Sequence, residues 1–169
     1  MNSADCGQFR AFRPVAVLAP GVLGTTGVET GELVLGVIDR IHPELILAVD
    51  ALAARRLSRL MCTIQMTDTG IVPGSGVGNA RTALTQTALG VPVLSIGVPT
   101  VVDGATLAAD IAQQSGAQCE ALDDLNTPVL VTTRDVDQQT ADAARVIGYG
   151  INLFLHPSLD IADMELFLS

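Results

Sequence analysis

Asp50 ends the run ELILAVD, where a carboxylate follows five apolar residues. A continuous apolar run of this length predicts a strand buried on both faces. In open α/β sheets, ligands bind outside the carboxyl ends of strands. An ionisable group at such an end is a candidate acid or base. Asp50 equally suits the N-cap of a helix starting at Ala51, and both readings stand. Three further carboxylates fall near element boundaries. Glu29 precedes a helix in GVET and is expected to face the same crevice. Asp68 lies in T-D-T-G and reads as a turn aspartate or a wall of the site. Asp103 follows an apolar run and opens a helical pattern, so it reads as an N-cap or as a further wall.

The segment Gly74-Ser75-Gly76-Val77-Gly78-Asn79 could cradle an anion through its backbone N–H groups, and its Gly74–Gly78 part could shape the crevice or contact a substrate backbone. It lacks the G-K-[ST] ending of a phosphate loop and the strand-first context of a dinucleotide fingerprint. The plainer reading is a loop that needs positive φ or close backbone approach. D-T-G also occurs in pepsin-like proteases, but there in two copies on a β-barrel loop; here it occurs once, in α/β surroundings. His42 and His156 each precede a proline and read as helix-end caps. Two histidines without a cluster give no metal site, and no cofactor motif is present. The cysteines (Cys6, Cys62 and Cys119) are odd in number and form no C-x-x-C pair, so free thiols in a reducing compartment are expected.

The formal net charge is −9 and all nine basic residues are arginine, which argues against nucleic-acid or anionic-membrane partners. With no Trp and one Tyr, a base-stacking platform is not expected. Hydrophobic residues form 49% of the chain and charged residues 16%, which excludes disorder and suggests a fully covered core or oligomer faces hidden from water. No window reaches the ~18 apolar residues of a membrane span, and the start carries no signal-peptide core. A cytoplasmic protein follows.

These residues need elements to position them. The pattern predicts a strand at Val15–Gly21 and an amphipathic helix from a Thr30 cap to Pro43. A strand at Glu44–Asp50, a helix at Ala51–Leu60 and an edge strand at Met61–Thr67 come next. A long loop spans Asp68–Arg81, and a fourth strand runs from Val91 to Val102, leaving through Pro99. Then come a helix from Asp103 to about Gln114, a polar loop over Ser115–Asn126 and an extended run at Thr127–Thr133. A long helix closes the pattern from Arg134 to Leu155, with Thr132 and Asp135 as a capping box; the tail reads as a short amphipathic turn. Strand–helix alternation gives an α/β fold with a mostly parallel sheet. At 169 residues one domain is expected, residues 13–169, after a flexible segment over residues 1–12.

Four ordered motifs, PGVLGTTGVET, AVDALAAR, DTGIVPGSGVGN and GVPTVVDG, together with VLVTTRDVDQQTADAARVIGYGINLFLH, resemble the germination protease of spore-forming bacteria. The resemblance covers roughly residues 13–156. It implies a three-layer α/β sandwich similar to hydrogenase-maturation proteases. It also implies a homo-oligomer (a tetramer) in the spore core, and an aspartic-type endopeptidase without cofactor that degrades small acid-soluble spore proteins during germination. One essential carboxylate of the family lies in the motif matching AVDALA, which is Asp50 here. The family's other essential aspartate lies upstream, in a G-x-G-N … T-P-D-x-L-G-P segment with no match in this sequence, and the long insertion before the final helix is cut short. An N-terminally truncated member is expected. Three explanations stay open: a piece of a longer protease; an inactive homologue serving as an oligomeric scaffold; or a second carboxylate from Glu29, Asp68 or Asp103. A maturation-type peptidase holding nickel or zinc through Asp50 is a further reading.

Overall fold

The computed structural model describes residues 12–74, 82–116 and 129–168. The chain divides into two compact units, Ala19–Thr140 and the pair of segments Met1–Leu18 and Ala141–Ser169. The larger unit runs α1 (Leu23–Thr26), α2 (Thr30–Ile41), β1 (Ile46–Ala54), a 3-10 turn (Leu57–Arg59), β2 (Gln65–Thr67) and α3 (Gln86–Leu89). It continues through β3 (Val93–Asp103), α4 (Gly104–Ser115), β4 (Leu130–Val131) and the first turn of α5 (Val136–Leu155).

The α/β class holds, with a mixed sheet. β3 is its centre. β1 pairs with it in parallel from Ile46 opposite Val93 to Ala54 opposite Val102. β2 and β4 run antiparallel to β3, opposite Ser95–Gly97 and Val102–Asp103 respectively. A residue has two edges, so β2 and β4 share the edge that β1 leaves free. The parallel pair is the long one because β3 is apolar throughout and buries Val93, Ile96, Val98 and Val102. Pro99 lies inside β3 instead of ending it. The register slips between Leu52 and Ala53, leaving Thr100 without a partner in β1. Such a bulge accommodates the donor a proline lacks. The two carbonyls there are still used: Met61 N–H donates to Pro99 (2.8 Å) and the Thr132 hydroxyl to Thr100 (2.6 Å).

Two apolar clusters hold the helices. Val34 and Ile38, one turn apart on α2, pack with Ile46, Ala48 and Ile71 against Leu84, Leu89 and Val93. Leu107 of α4 packs with Met61 and Val131 against Ala54, Leu60 and Val102. Asp103 caps α4, its Oδ1 accepting from Thr106 N–H at 3.0 Å. α2 begins at Thr30, yet the cap is Glu29, not Thr30: Oε2 accepts from Gly31 N–H (2.6 Å) and Oε1 from Thr82 N–H (3.1 Å). Glu29 therefore bolts the start of α2 to a segment 53 positions away. Gly31 permits the approach, because a Cβ there would stand 2.8 Å from the Thr82 side chain. At the other end His42 takes a left-handed φ of 48° and its N–H closes on Ile38, just before Pro43.

Four sequence expectations are corrected. Val15–Gly21 forms no strand, and Val15, Val17 and Leu18 are exposed. An apolar run becomes a strand only where an edge accepts its hydrogen bonds. Ala51–Leu60 is not a helix. β1 continues through Ala54, and only Leu57–Arg59 turns; pairing with Val98–Val102 overrides the helix preference of alanine. The third strand shrinks to Gln65–Thr67. The Thr132–Asp135 capping box is replaced: the Thr132 hydroxyl serves Thr100, and the ladder of α5 starts with Gln139 N–H on the Asp135 carbonyl. Most of the polar stretch Ser115–Asn126 lies outside the described residues, as does the N-terminal segment before Phe12.

In the smaller unit, His156 follows α5 and is buried. Its ring lies 4.6 Å from that of Phe12, and its Nδ1 accepts from Arg13 N–H at 3.4 Å. The tail, expected as a turn, is the helix α6 (Ile161–Leu168). Asp160 and Asp163 close its start reciprocally, each backbone N–H donating to the other's carboxylate at 3.0 and 2.9 Å.

Two stability outcomes follow. Glu29→Ala removes the partner of two backbone donors and should cost about 1–2 kcal/mol in urea denaturation. A Cβ at Gly97 would stand 2.4 Å from Leu52 Cδ1 and 2.5 Å from its Cγ. Gly97→Ala should therefore cost about 1–3 kcal/mol, and most of that penalty should vanish when Leu52→Ala is already present. Additive single and double variants would show that the two residues do not compete for the same space.

Candidate active site

Residues paired across a sheet point to the same face. The register therefore builds rows. Asp50 of β1, Gly97 of β3 and Gln65 of β2 form one row; Ala48, Ser95 and Thr67 form the next. Asp50 stands at the midpoint of β1, not at its carboxyl end as the sequence suggested, and it caps no helix. It is half-buried between the exposed residues Val49 and Ala51. Unlike Glu29 and Asp103, it makes no hydrogen bond or ion pair among the described residues. Gly97 carries no side chain beside it, and Leu52 folds back over that gap.

On this face lies a cavity of about 310 Å³. Leu52 of β1, Gln65, Met66 and Thr67 of β2, and Ser95 and Gly97 of β3 line it, together with Gly70–Val72 of the following loop. The loop approaches because Gly70 has φ +92° and no Cβ; a Cβ there would meet the Leu84 carbonyl at 2.3 Å. Ile71 and Leu84 then exchange two backbone hydrogen bonds, 3.0 and 2.8 Å, which pin the base of the loop. Gly74 takes φ 69°, the conformation expected of that segment. Ser75, Gly76, Gly78 and Asn79 lie outside the described residues.

The other carboxylates are not gathered around Asp50. Asp103 lies six residues beyond Gly97 along β3, about 20 Å at ~3.3 Å per residue, and its oxygen is occupied by Thr106. Asp68 is exposed after β2. Because β2 is antiparallel, its end points toward the start of β3. Next to it the Thr67 and Thr69 hydroxyls bond each other at 2.7 Å. Glu29 is held by Gly31 and Thr82. Among the residues in these two rows, Asp50 is the one ionisable group. Among the described residues no three His, Cys, Asp or Glu side chains converge as a metal site, which leaves the nickel or zinc reading without a ligand set there. Cys62 is free and exposed; Cys6 and Cys119 lie outside the described residues.

Sequence reasoning missed Ser95, Gln65 and Thr67. The signal for Ser95 was available: a lone hydroxyl in the apolar run VPVLSIG. Its Oγ is buried without a hydrogen-bond partner among the described residues.

The family model described as germination protease matches residues 7–115. The germination protease of Clostridium acetobutylicum is 40% identical over 185 aligned positions, covering 94% of this chain and 57% of that protein. The germination protease of Caldanaerobacter subterraneus subsp. tengcongensis is 42% identical, covering 93% and 57%. That of Bacillus pumilus is 57% identical over 99 residues, 59% of this chain and 27% of that protein. The chain thus spans about 57% of the length of the first two curated relatives. A match over more than half of the sequence, reinforced by long relatives at this identity, makes the chain a member of the germination protease family.

Proposed function

We propose that this chain carries part of the catalytic apparatus of an endopeptidase that degrades small acid-soluble spore proteins during germination, with Asp50 as its activating carboxylate. The observation that carries the reading is the placing of Asp50: half-buried at the midpoint of β1, committed to no structural bond among the described residues, in the row of Gly97 and Gln65, which line a cavity. Membership of the germination protease family supplies the reaction class. Asp50 would take a proton from water as its oxygen attacks the peptide carbonyl. The leaving amine then needs a proton, which comes from the carboxyl of Asp50, now protonated, or from a second carboxyl group beside it. That second group is absent from the two rows around Asp50. The Gly74–Asn79 segment would contact the substrate backbone beyond the loop base pinned by Ile71 and Leu84.

The finer architecture belongs to the same proposal: a three-layer sandwich similar to hydrogenase-maturation proteases, with residues 13–169 as one peptidase-like domain. So do the homo-oligomer, a tetramer by resemblance, and residence in the spore core without nucleic-acid or membrane partners. Exposed Val17, Val49, Ile64 and Met66 favour a covered surface, and no described helix is long and apolar enough to cross a membrane. One observation favours a second reading, an oligomeric scaffold without turnover: the two rows of the sheet face hold one carboxylate, Asp50.

Incubating the purified chain with a small acid-soluble spore protein and weighing the fragments tests both readings. The endopeptidase reading expects discrete cleavage, reduced at least ~100-fold by Asp50→Asn. Equal cleavage by the variant would sink the role of Asp50. No cleavage by a folded, stably oligomeric wild-type chain would establish the scaffold reading.

A further inference from the structure

We infer that the cavity beside Asp50 is a side-chain subsite for an uncharged, hydrogen-bonding residue of an extended peptide, an amide or hydroxyl on an aliphatic stem, and that Ser95 selects for it. The inference rests on the endopeptidase reading for the nature of the ligand, but not on turnover. Three observations support it. First, Ser95 is 2% exposed, lines the cavity, and has a hydroxyl with no partner among the described residues. A buried hydroxyl without a partner is an unfavourable thing for a fold to keep. The hydroxyl itself has almost no accessible surface, so a ligand polar group in the cavity would relieve it once the side chain turns toward the cavity.

Second, the remaining lining fits such a ligand. Leu52, Met66, Ile71 and Val72 give apolar contact, and Gln65 and Thr67 add neutral hydrogen-bonding groups on the same face as Ser95. No lining residue is charged. A lysine or glutamate tip would lose its hydration there without meeting an opposite charge. A purely aliphatic tip would leave the Ser95 hydroxyl unpaired, and sites built around a polar group reject ligands that fail to engage it.

Third, the size and position suit one residue of a bound chain. About 310 Å³ is at the lower end of ligand cavities, room for a single side chain with its flanking backbone. Ser95 is one row along the sheet from Asp50, a diagonal of about 7–8 Å between backbones. A peptide whose side chain enters the cavity therefore has its main chain near the carboxylate.

The test titrates the ¹⁵N-labelled full chain with N-acetyl-glutamine N-methylamide and with its leucine and glutamate counterparts. The glutamine compound should shift the amides of Ser95, Gly97 and Gly70 and bind at least ~5-fold more tightly than the other two. Ser95→Ala should bring glutamine and leucine within twofold of each other. The same variant, without ligand, should melt about 2–4 °C higher, because it deletes an unpaired buried hydroxyl. A hydroxyl that serves the fold would instead lower the melting temperature on removal. Leucine binding as well as glutamine, an unchanged preference in Ser95→Ala, a lower melting temperature, or no localised shift with any compound would overturn the inference. Localised, glutamine-selective binding by a chain that cleaves nothing would keep the subsite and reject the endopeptidase reading; cleavage without the preference would do the reverse.

Discussion

Hydrogen bonding along both edges of β3 is the constraint on which the rest of the larger unit depends. The parallel pairing with β1 sets Asp50 opposite Gly97. The antiparallel pairing with β2 brings Gln65 and Thr67 onto the same face and starts the loop that walls the cavity. The far end of β3 becomes the cap of α4 at Asp103. A one-residue slip in this pairing would turn Asp50 to the other face and take the carboxylate away from the cavity. The bulge at Thr100 matters for the same reason. It absorbs Pro99, so that Ala54 and Val102 still meet in the core and the register on the Asp50 side is undisturbed.

The carboxylates separate by what already binds them. Glu29 and Asp103 sit at helix starts and accept backbone donors, so their chemistry is committed to holding α2 and α4 in place. Asp68 lies in an exposed turn. Asp50 alone of the four occupies a strand interior. A carboxylate is an unusual choice there, since Asp is disfavoured in strands and makes no ladder contribution with its side chain. Asp50 is thus the one of the four set within the sheet, and it is left without a structural bond among the described residues.

Much of this was legible from local pattern. α2, β3, α4 and α5 announce themselves by periodicity or by continuous apolar character, and the Asp103 cap by its place between strand and helix. What was not legible depended on partners distant in sequence. Ala51–Ala54 has the composition of a helix, but β3 offers it an edge. Val15–Gly21 has the composition of a strand, but no described edge receives it. The position of Asp50 failed for the same reason: the end of an apolar run is not the end of a strand when the next residues are small and the neighbouring strand continues. Thr30 lost the cap of α2 to Glu29, because only the longer side chain reaches Gly31 and Thr82 together.

A sheet optimised for stability alone would place neither a carboxylate nor an unpaired hydroxyl on a face packed by aliphatic side chains. Here both occur, in adjacent rows, beside a glycine whose missing Cβ leaves room that Leu52 only partly fills. Each departure would be destabilising by itself, and each is avoidable by a single conservative replacement. They cluster within two rows of β3, next to the loop that Gly70 draws in, and they border the apolar cluster of α2, which shares Ala48 and Ile71 with this face. Natural sequences break local rules where function requires it and follow them elsewhere. By that criterion the face bearing Asp50 and Ser95 is the one on which the proposed site rests.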